Sequence, residues 1–276
     1  MLKTAQPRTV GHPGYQAQGY ICPIRVMPEQ AAANLAQKVA DIEAEFGAEA
    51  DDLLRSNTHY LFPDLYDLVC DPAILDHVEA VLGPDILCWS SSFFSKPPHD
   101  PSFVSWHQDL TYWGLEPADV VTAWVAITPS TKANGCMRVV PGSHLPGQQD
   151  HKDTFAANNL LSRGQALDVA VDEGDSVDLV LAPGEMSLHH VLIVHGSEAN
   201  QTDLPRHGFA IRYIPTYCKQ IGGRTKALLV RGQDRYNHFD TVPRPEADMH
   251  PDAVAFRDQS DLVVKAILMD GATPEA

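Results

Sequence analysis

Ser105-Trp106-His107-Gln108-Asp109 is a His-x-Asp set in an apolar, strand-like stretch, and its reading decides how the rest of the chain is understood. Successive side chains of a strand alternate faces, so His107 and Asp109 are expected to point the same way, one pleat apart. An imidazole and a carboxylate side by side form two corners of a metal site. A second histidine would complete a two-His-one-carboxylate facial triad, which suits non-heme Fe(II) and leaves coordination positions open. Taken alone, the pair is explained as well by a buried histidine hydrogen-bonded to an aspartate. The flanking sequence has to supply the third corner.

Outward from this stretch the chain reads as short strands. Ile86-Leu87-Cys88-Trp89 and Phe93-Phe94 precede it and break at Pro97-Pro98. Downstream, Val120 to Ile127, Cys136 to Val140, Ala166 to Val171, Ser176 to Leu181, Met186 to Val194 and Phe209 to Ile214 are strand-like, with Pro141-Gly142-Ser143-His144 and Pro183-Gly184 as turns. The N-terminal third differs. After an opening strand at Gly19 to Ile24, residues Ala32, Leu35, Val39, Ile42 and Phe46 recur at helical spacing from Pro28 until Gly47. Asp71-Pro72 opens a second helix through Leu82, while Asp51 to Tyr66 is mixed. His151 to Gly164 is polar, a loop or short helix suited to a lid, and a closing helix is expected over Asp252 to Met269. This order predicts one mainly β domain over 1–276, a β-barrel or jelly roll with flanking α-helices. The helical part covers about 28–83, the barrel core about 86–217 and a C-terminal extension 218–276.

Composition narrows the partners. Thirty-six acidic against 20 basic residues give a net charge of −16, which argues against nucleic acid or an anionic membrane as partner. No apolar run is long enough to span a bilayer, and Met1 to Gly14 is polar without an export-type apolar core, so a cytoplasmic protein is expected. Cys22, Cys70, Cys88, Cys136 and Cys218 are odd in number and lack a CxxC, which suggests reduced thiols and no zinc knuckle.

Met186 to Asn200 holds three candidates for the third corner: His189, His190 and His195. At about 3.3 Å per residue of extended chain, His195 is too far from the other two to share an ion with either. His195 is preferred because it ends its strand and is followed by Gly196-Ser197, where glycine permits close approach. His189 and His190 then read as core residues or supporting donors. Eleven positions beyond His195 comes Arg206, opening Arg206-His207-Gly208-Phe209-Ala210-Ile211-Arg212-Tyr213. One face of that strand carries Arg206, Gly208, Ala210 and Arg212. The small residues between the arginines leave room for a ligand, and a guanidinium grips a carboxylate bidentately. An exposed basic strand face would explain the arginines too, if the histidine motifs were absent.

The chain here resembles the phytanoyl-CoA dioxygenase family of Fe(II)/2-oxoglutarate-dependent oxygenases. The likeness runs from about Ile86 to Tyr213. It rests on Lys96-Pro97-Pro98, Trp106-His107-Gln108-Asp109, Ala123-Trp124, Asn134-Gly135-Cys136, Pro141-Gly142-Ser143-His144, His195-Gly196-Ser197 and Arg206. The resemblance implies a double-stranded β-helix with Fe(II) held by His107, Asp109 and His195. It assigns Arg206 to the distal carboxylate of 2-oxoglutarate, with Ser197, Trp124 and Ser92 lining that pocket and Arg212 as second choice for the clamp. It implies hydroxylation of a C–H bond of a small molecule with O₂, releasing succinate and CO₂. Relatives that halogenate carry a small residue where this chain has Asp109, so hydroxylation is favoured over halogenation.

Substrate contacts are expected from Tyr112 and Trp113, just past Asp109, and from His59 and His151, with Arg163 and Arg224 in further loop-like segments. Core or surface roles account for each of them equally. Nothing in the chain offers a basic patch for an acyl-CoA. Two other classes stay open: a zinc hydrolase using the same three ligands, which leaves Arg206 unused, and a non-catalytic metal-binding β-barrel, which needs no complete triad. Oligomeric state is not legible.

Overall fold

The strand Arg206–Pro215 is buried at every residue and forms the spine of the molecule, which is seen here in a computed structural model describing residues 12–168 and 171–269. It pairs antiparallel on one side with Ile86–Lys96, from Arg206 opposite Lys96 to Pro215 opposite Ile86, and on the other with Val121–Ala126. Glu185–His190 and Tyr20–Arg25 extend the sheet beyond Val121–Ala126, and Lys226–Arg231 and Asp240–Thr241 extend it beyond Ile86–Lys96, giving seven strands. A second sheet of four strands runs in the order Val104–His107, His195–Ser197, Arg138–Val139, Val177–Asp178.

Two-residue periodicity divides the large sheet into two faces. Phe209, Ile211 and Tyr213, with Val121, Ala123, Val125 and Leu188, pack against Val39 and Ile42 of the helix Glu29–Phe46 and Ile74 and Val78 of the helix Pro72–Leu82. Each such buried side chain contributes about 1.5–3 kcal/mol. The opposite face meets the small sheet, where Trp124, Ala126 and Ala210 pack against Met137, Val139, Leu179 and Ile193. The jelly-roll architecture with flanking helices is therefore as expected. Because both faces of the central strands are covered, their sequences read as continuous apolar runs with a few polar interruptions. Those on the inner face, Arg206 and Arg212 among them, build the site, while Ser91, Ser95 and His207 lie on the outer face.

The structure departs from the expected elements in several places. Ala50–Arg55 and Pro63–Val69 are helices where the pattern was mixed, the second opened by proline at its first position. The segments expected over Cys136 to Val140 and Ser176 to Leu181 pair only at Arg138–Val139 and Val177–Asp178. Of Ala166 to Val171, Ala166–Leu167 is a strand, and 169–170 lie outside the described residues, as do 1–11 of the N-terminal segment. The expected strand Met186 to Val194 is broken: it stops at His190, whose carbonyl accepts from Ile193 N (2.9 Å) and whose ring accepts from Leu192 N (3.0 Å). The chain then crosses into the small sheet at His195. The closing helix spans Pro251–Leu268. Among the described residues all five cysteines are free, and no helix is long and apolar enough to cross a membrane.

Candidate metal centre

Cross-strand pairing sets His195 opposite His107, with ring centroids 4.2 Å apart. The strand Val104–His107 ends there, and Asp109 opens a 3₁₀ turn, Asp109–Tyr112, instead of continuing the strand as expected. The turn still returns the carboxylate to the imidazoles: Asp109 Oδ1 lies 3.3 Å from His107 Nε2 and 3.9 Å from His195 Nε2. One ligand atom from each residue lies within 4.8 Å of the other two.

The tautomers can be read from the other ring nitrogens. His107 Nδ1 donates to Ser105 O (2.9 Å), and His195 Nδ1 donates to Ile193 O (3.0 Å). Both Nε2 atoms are then bare lone pairs facing an acceptor carboxylate, three acceptors with no donor between them. That donor set suits a divalent cation, and the backbone carbonyls supply the outer support that metal-ligating histidines ordinarily have. Burial, aided by His107, pushes His195 down to about 3, so its ring stays neutral near pH 7. Gln108 pins the backbone between the two ligands. Its side chain donates to Leu192 O (2.7 Å) and accepts from Gln149 N (2.7 Å), and its N–H donates to His151 Nε2 (2.9 Å).

A cavity opens on this cluster. Arg206, Ser197 and Trp124 line it together with the three metal-ligand candidates. Arg206 is buried; Nη1 donates to Gly135 O (2.6 Å), its Cζ sits 5.4 Å from the Trp124 ring, and Nε has no partner. Burial lowers its guanidinium to about 10, which leaves it charged at neutral pH. Beside it the buried Lys96 donates to Ser197 Oγ (2.7 Å). A charged, dry guanidinium with an unpaired donor is a fixed anion site. The room expected at Gly208 is not free for a ligand, since a Cβ there would lie 1.8 Å from the Trp124 ring, which fills that space. At Gly196 a Cβ would lie 3.0 Å from Val104 O, so this glycine serves the approach of the neighbouring strand.

Other expected residues are placed differently. Ser92 lines an adjoining cavity, where it accepts from Arg212 Nη1 (2.6 Å), and not the cavity of Arg206. Arg212 lines both, as does Asp109. Tyr112 and Trp113 line the adjoining cavity. His59 is wholly buried against Ser91 Oγ (2.7 Å), because the segment expected as a loop is a helical turn packed under the sheet. His151 turns toward the Gln108 backbone, away from the cavities. Arg224 is tied at the surface to Asp240 (2.7 Å), and Arg163 is buried over the Tyr112 ring (4.2 Å). His189 is buried beside the cluster, in keeping with a core residue or supporting donor, but the distance used to set it apart from His195 is not observed. The turn after His190 brings its ring centroid to 5.1 Å from that of His195, and its Nε2 to 3.9 Å from Asp109 Oδ2. The extended-chain argument that separated the two histidines does not hold across a chain reversal.

Residues 15–208 match the family described as phytanoyl-CoA dioxygenase (PhyH). The human peroxisomal phytanoyl-CoA dioxygenase is 29% identical over 154 residues, covering 54% of this chain and 46% of that protein. A probable alpha-ketoglutarate-dependent hypophosphite dioxygenase of Stutzerimonas stutzeri is 31% identical over 169 residues, covering 60% and 58%. The chain thus spans about half the length of the curated relatives it matches. Among solved structures, the non-heme monooxygenase ThoJ in its apo form superposes with a TM-score of 0.83 at 33% identity, over 93% of this chain and 96% of that one.

Proposed function

The chain belongs to the phytanoyl-CoA dioxygenase family, and from that membership we propose that it is a non-heme Fe(II)- and 2-oxoglutarate-dependent dioxygenase that hydroxylates a C–H bond of a small molecule. His107, Asp109 and His195 would hold the Fe(II), and Arg206, with Ser197 and Trp124, the distal carboxylate of 2-oxoglutarate. Bound together, the iron and its cosubstrate supply the oxidation, coupling decarboxylation to succinate and CO₂ with transfer of oxygen from O₂ to the substrate. The protein's part is placement and exclusion. Backbone carbonyls accept from both Nδ1 atoms and so turn both Nε2 atoms toward the metal position, Gln108 fixes the spacing of His107 and Asp109, and the Gly135 carbonyl and the Trp124 ring fix the Arg206 fork. The packed inner faces of the two sheets keep water away from the cosubstrate end. No general acid or base is required.

One observation carries this reading: three mutually facing acceptors share a cavity with a buried guanidinium that has a donor to spare. A zinc hydrolase would leave that guanidinium without a task. The test is to add Fe(II) and 2-oxoglutarate without oxygen and record the visible charge-transfer band of the chelate, then admit O₂ with candidate substrates and measure succinate. A protein that gives no band and instead hydrolyses esters with zinc would remove the proposal. The relatives' names span an acyl-CoA and hypophosphite, so the primary substrate has to come from this chain's own cavity.

A further inference from the structure

Arg212 lies six positions beyond Arg206 on the same inner face of the spine strand. At about 3.3 Å per residue, the two Cα atoms are roughly 20 Å apart. A five-carbon diacid is about as long as two extended residues, roughly 7 Å, and would place its distal carboxylate on Arg206, whereas Arg212 lines both that cavity and the next. Arg212 has the marks of an anion site. It is 9% exposed, its Nη1 donates to Ser92 Oγ (2.6 Å), and its Nε has no partner. Among the described residues it is in no ion pair. Two rings, Phe94 and Trp113, each stand with their centroids 5.6 Å from its Cζ, and Trp89 packs on Trp113 with centroids 5.2 Å apart.

The cavity that Arg212 enters beyond the triad has one apolar wall, built from Trp113, Leu161 and, on the C-terminal helix, Val264 and Leu268, and one polar wall that includes Arg55, Asn57 and Gln165. Asp109 is in its wall as well, so a ligand there adjoins the metal candidates. A buried guanidinium paired with no carboxylate, at the edge of a chamber with one apolar and aromatic wall, selects a planar anion whose body packs on that wall. We propose that Arg212 binds the carboxylate of the primary substrate, which is therefore a small organic acid with an apolar or aromatic body, lying between Trp113 and the C-terminal helix with a C–H bond turned to the triad. The proposal rests on reading the neighbouring cavity as the iron and 2-oxoglutarate site, and it gives the two arginines separate tasks.

The test uses oxygen-free enzyme loaded with Fe(II) and saturating 2-oxoglutarate, so that the Arg206 site is filled. It is titrated with 3-phenylpropanoate and hexanoate, and with the corresponding amides, following tryptophan fluorescence and the chelate band. The acids are expected to bind at least about tenfold more tightly than their amides, as expected for a desolvated charge pair. Arg212→Gln should erase that preference, and Arg212→Lys should weaken it by several-fold, while the 2-oxoglutarate saturation curve stays where it was. Equal binding of acid and amide, or no binding of either acid, would overturn the proposal. So would an Arg212→Gln variant whose 2-oxoglutarate curve shifts instead. If Arg212→Gln does not fold, Arg212→Lys decides alone, and unchanged acid binding in it counts against the idea. A missing chelate band beside Arg212-dependent acid binding would instead point to failure of the oxygenase reading.

Discussion

The two ends of the strand Arg206–Pro215 carry the same side chain in different surroundings. At the Arg206 end the guanidinium is held by the Gly135 carbonyl and the Trp124 ring, with the buried Lys96 and Ser197 beside it, in a pocket walled by paired strands. At the Arg212 end the strand Ile86–Lys96 supplies one wall, from Trp89 to Phe94, and the other is assembled from Asn57, residues 160–162, the turn after Asp109 and the C-terminal helix, which lie outside the two large sheets. A rigid frame suits a cosubstrate that is always the same. Loops and a docked helix suit a substrate that differs between relatives, because they change without disturbing the barrel. One strand thus presents a constant end and a variable end.

The largest test of this contrast removes what lies between the ends. Asp109→Ala should lower succinate release by more than about 100-fold, since even the outer supports of metal ligands are worth 10–100-fold. Turnover that survived would detach the triad from both cavities. Next is Arg206→Gln, which leaves a cosubstrate carboxylate unpaired. A loss of about 2–5 kcal/mol in 2-oxoglutarate affinity is expected from titration of the chelate band, and a variant that binds 2-oxoglutarate normally would exchange the roles of the two ends.

Gly208→Ala separates the ends more finely. Its Cβ would meet the Trp124 ring at 1.8 Å, so overpacking should cost about 1–3 kcal/mol in thermal stability and weaken 2-oxoglutarate binding without touching the Arg212 cavity. A melt superimposable on the parent's would mean that Trp124 moves freely and that this pocket is not rigid. The smallest effect concerns the support beneath the variable end. His59 bonds Ser91, the neighbour of Ser92, and burial holds its pKa at about 3. A histidine depressed in the folded state takes up its proton first in the unfolded chain, so its contribution falls as pH drops below about 6.5 and is lost through about 3. Between pH 7 and 5.5, His59→Asn should therefore lose about 1 kcal/mol less stability than the parent in denaturant titrations, and equal losses would show that His59 is not the acid-sensitive element.

The same contrast explains what could be read from the sequence. The nearness of His107, Asp109 and His195 was legible from motifs at strand ends, although Asp109 reaches the imidazoles from a 3₁₀ turn and not from the continued strand. Jelly-roll architecture followed from the order of apolar runs. The nearness of His189 to His195 was not legible, because a turn closed by the carbonyl and ring of His190 converts six residues of separation into a ring contact. Ser92 was assigned to the wrong arginine, since register across the strands decides which partner it meets and no local pattern encodes register. The expected contacts His59 and His151 failed for a simpler reason: a polar residue in an irregular segment is as easily turned inward to a backbone or hydroxyl partner as outward to a ligand. Of the Arg212 chamber, Tyr112 and Trp113 were legible beside Asp109, but the segments that complete it, such as those of Asn57 and Val264, lie more than 150 positions apart and leave no contiguous trace.

The backbone carbonyls that hold His107 and His195 have one more consequence. The hydrogen bonds that orient both rings run to the backbone and need no ion, so loading should require no refolding of either histidine. Such a ready-made pocket discriminates poorly among first-row divalent ions, whose affinities for nitrogen and oxygen donors rise from manganese through iron and cobalt to nickel and copper. Which element fills it is then a matter of supply. A cell that starves this protein of iron while nickel or cobalt is plentiful should accumulate a folded, stable and inactive form, recoverable by chelation and reloading without passage through the unfolded state.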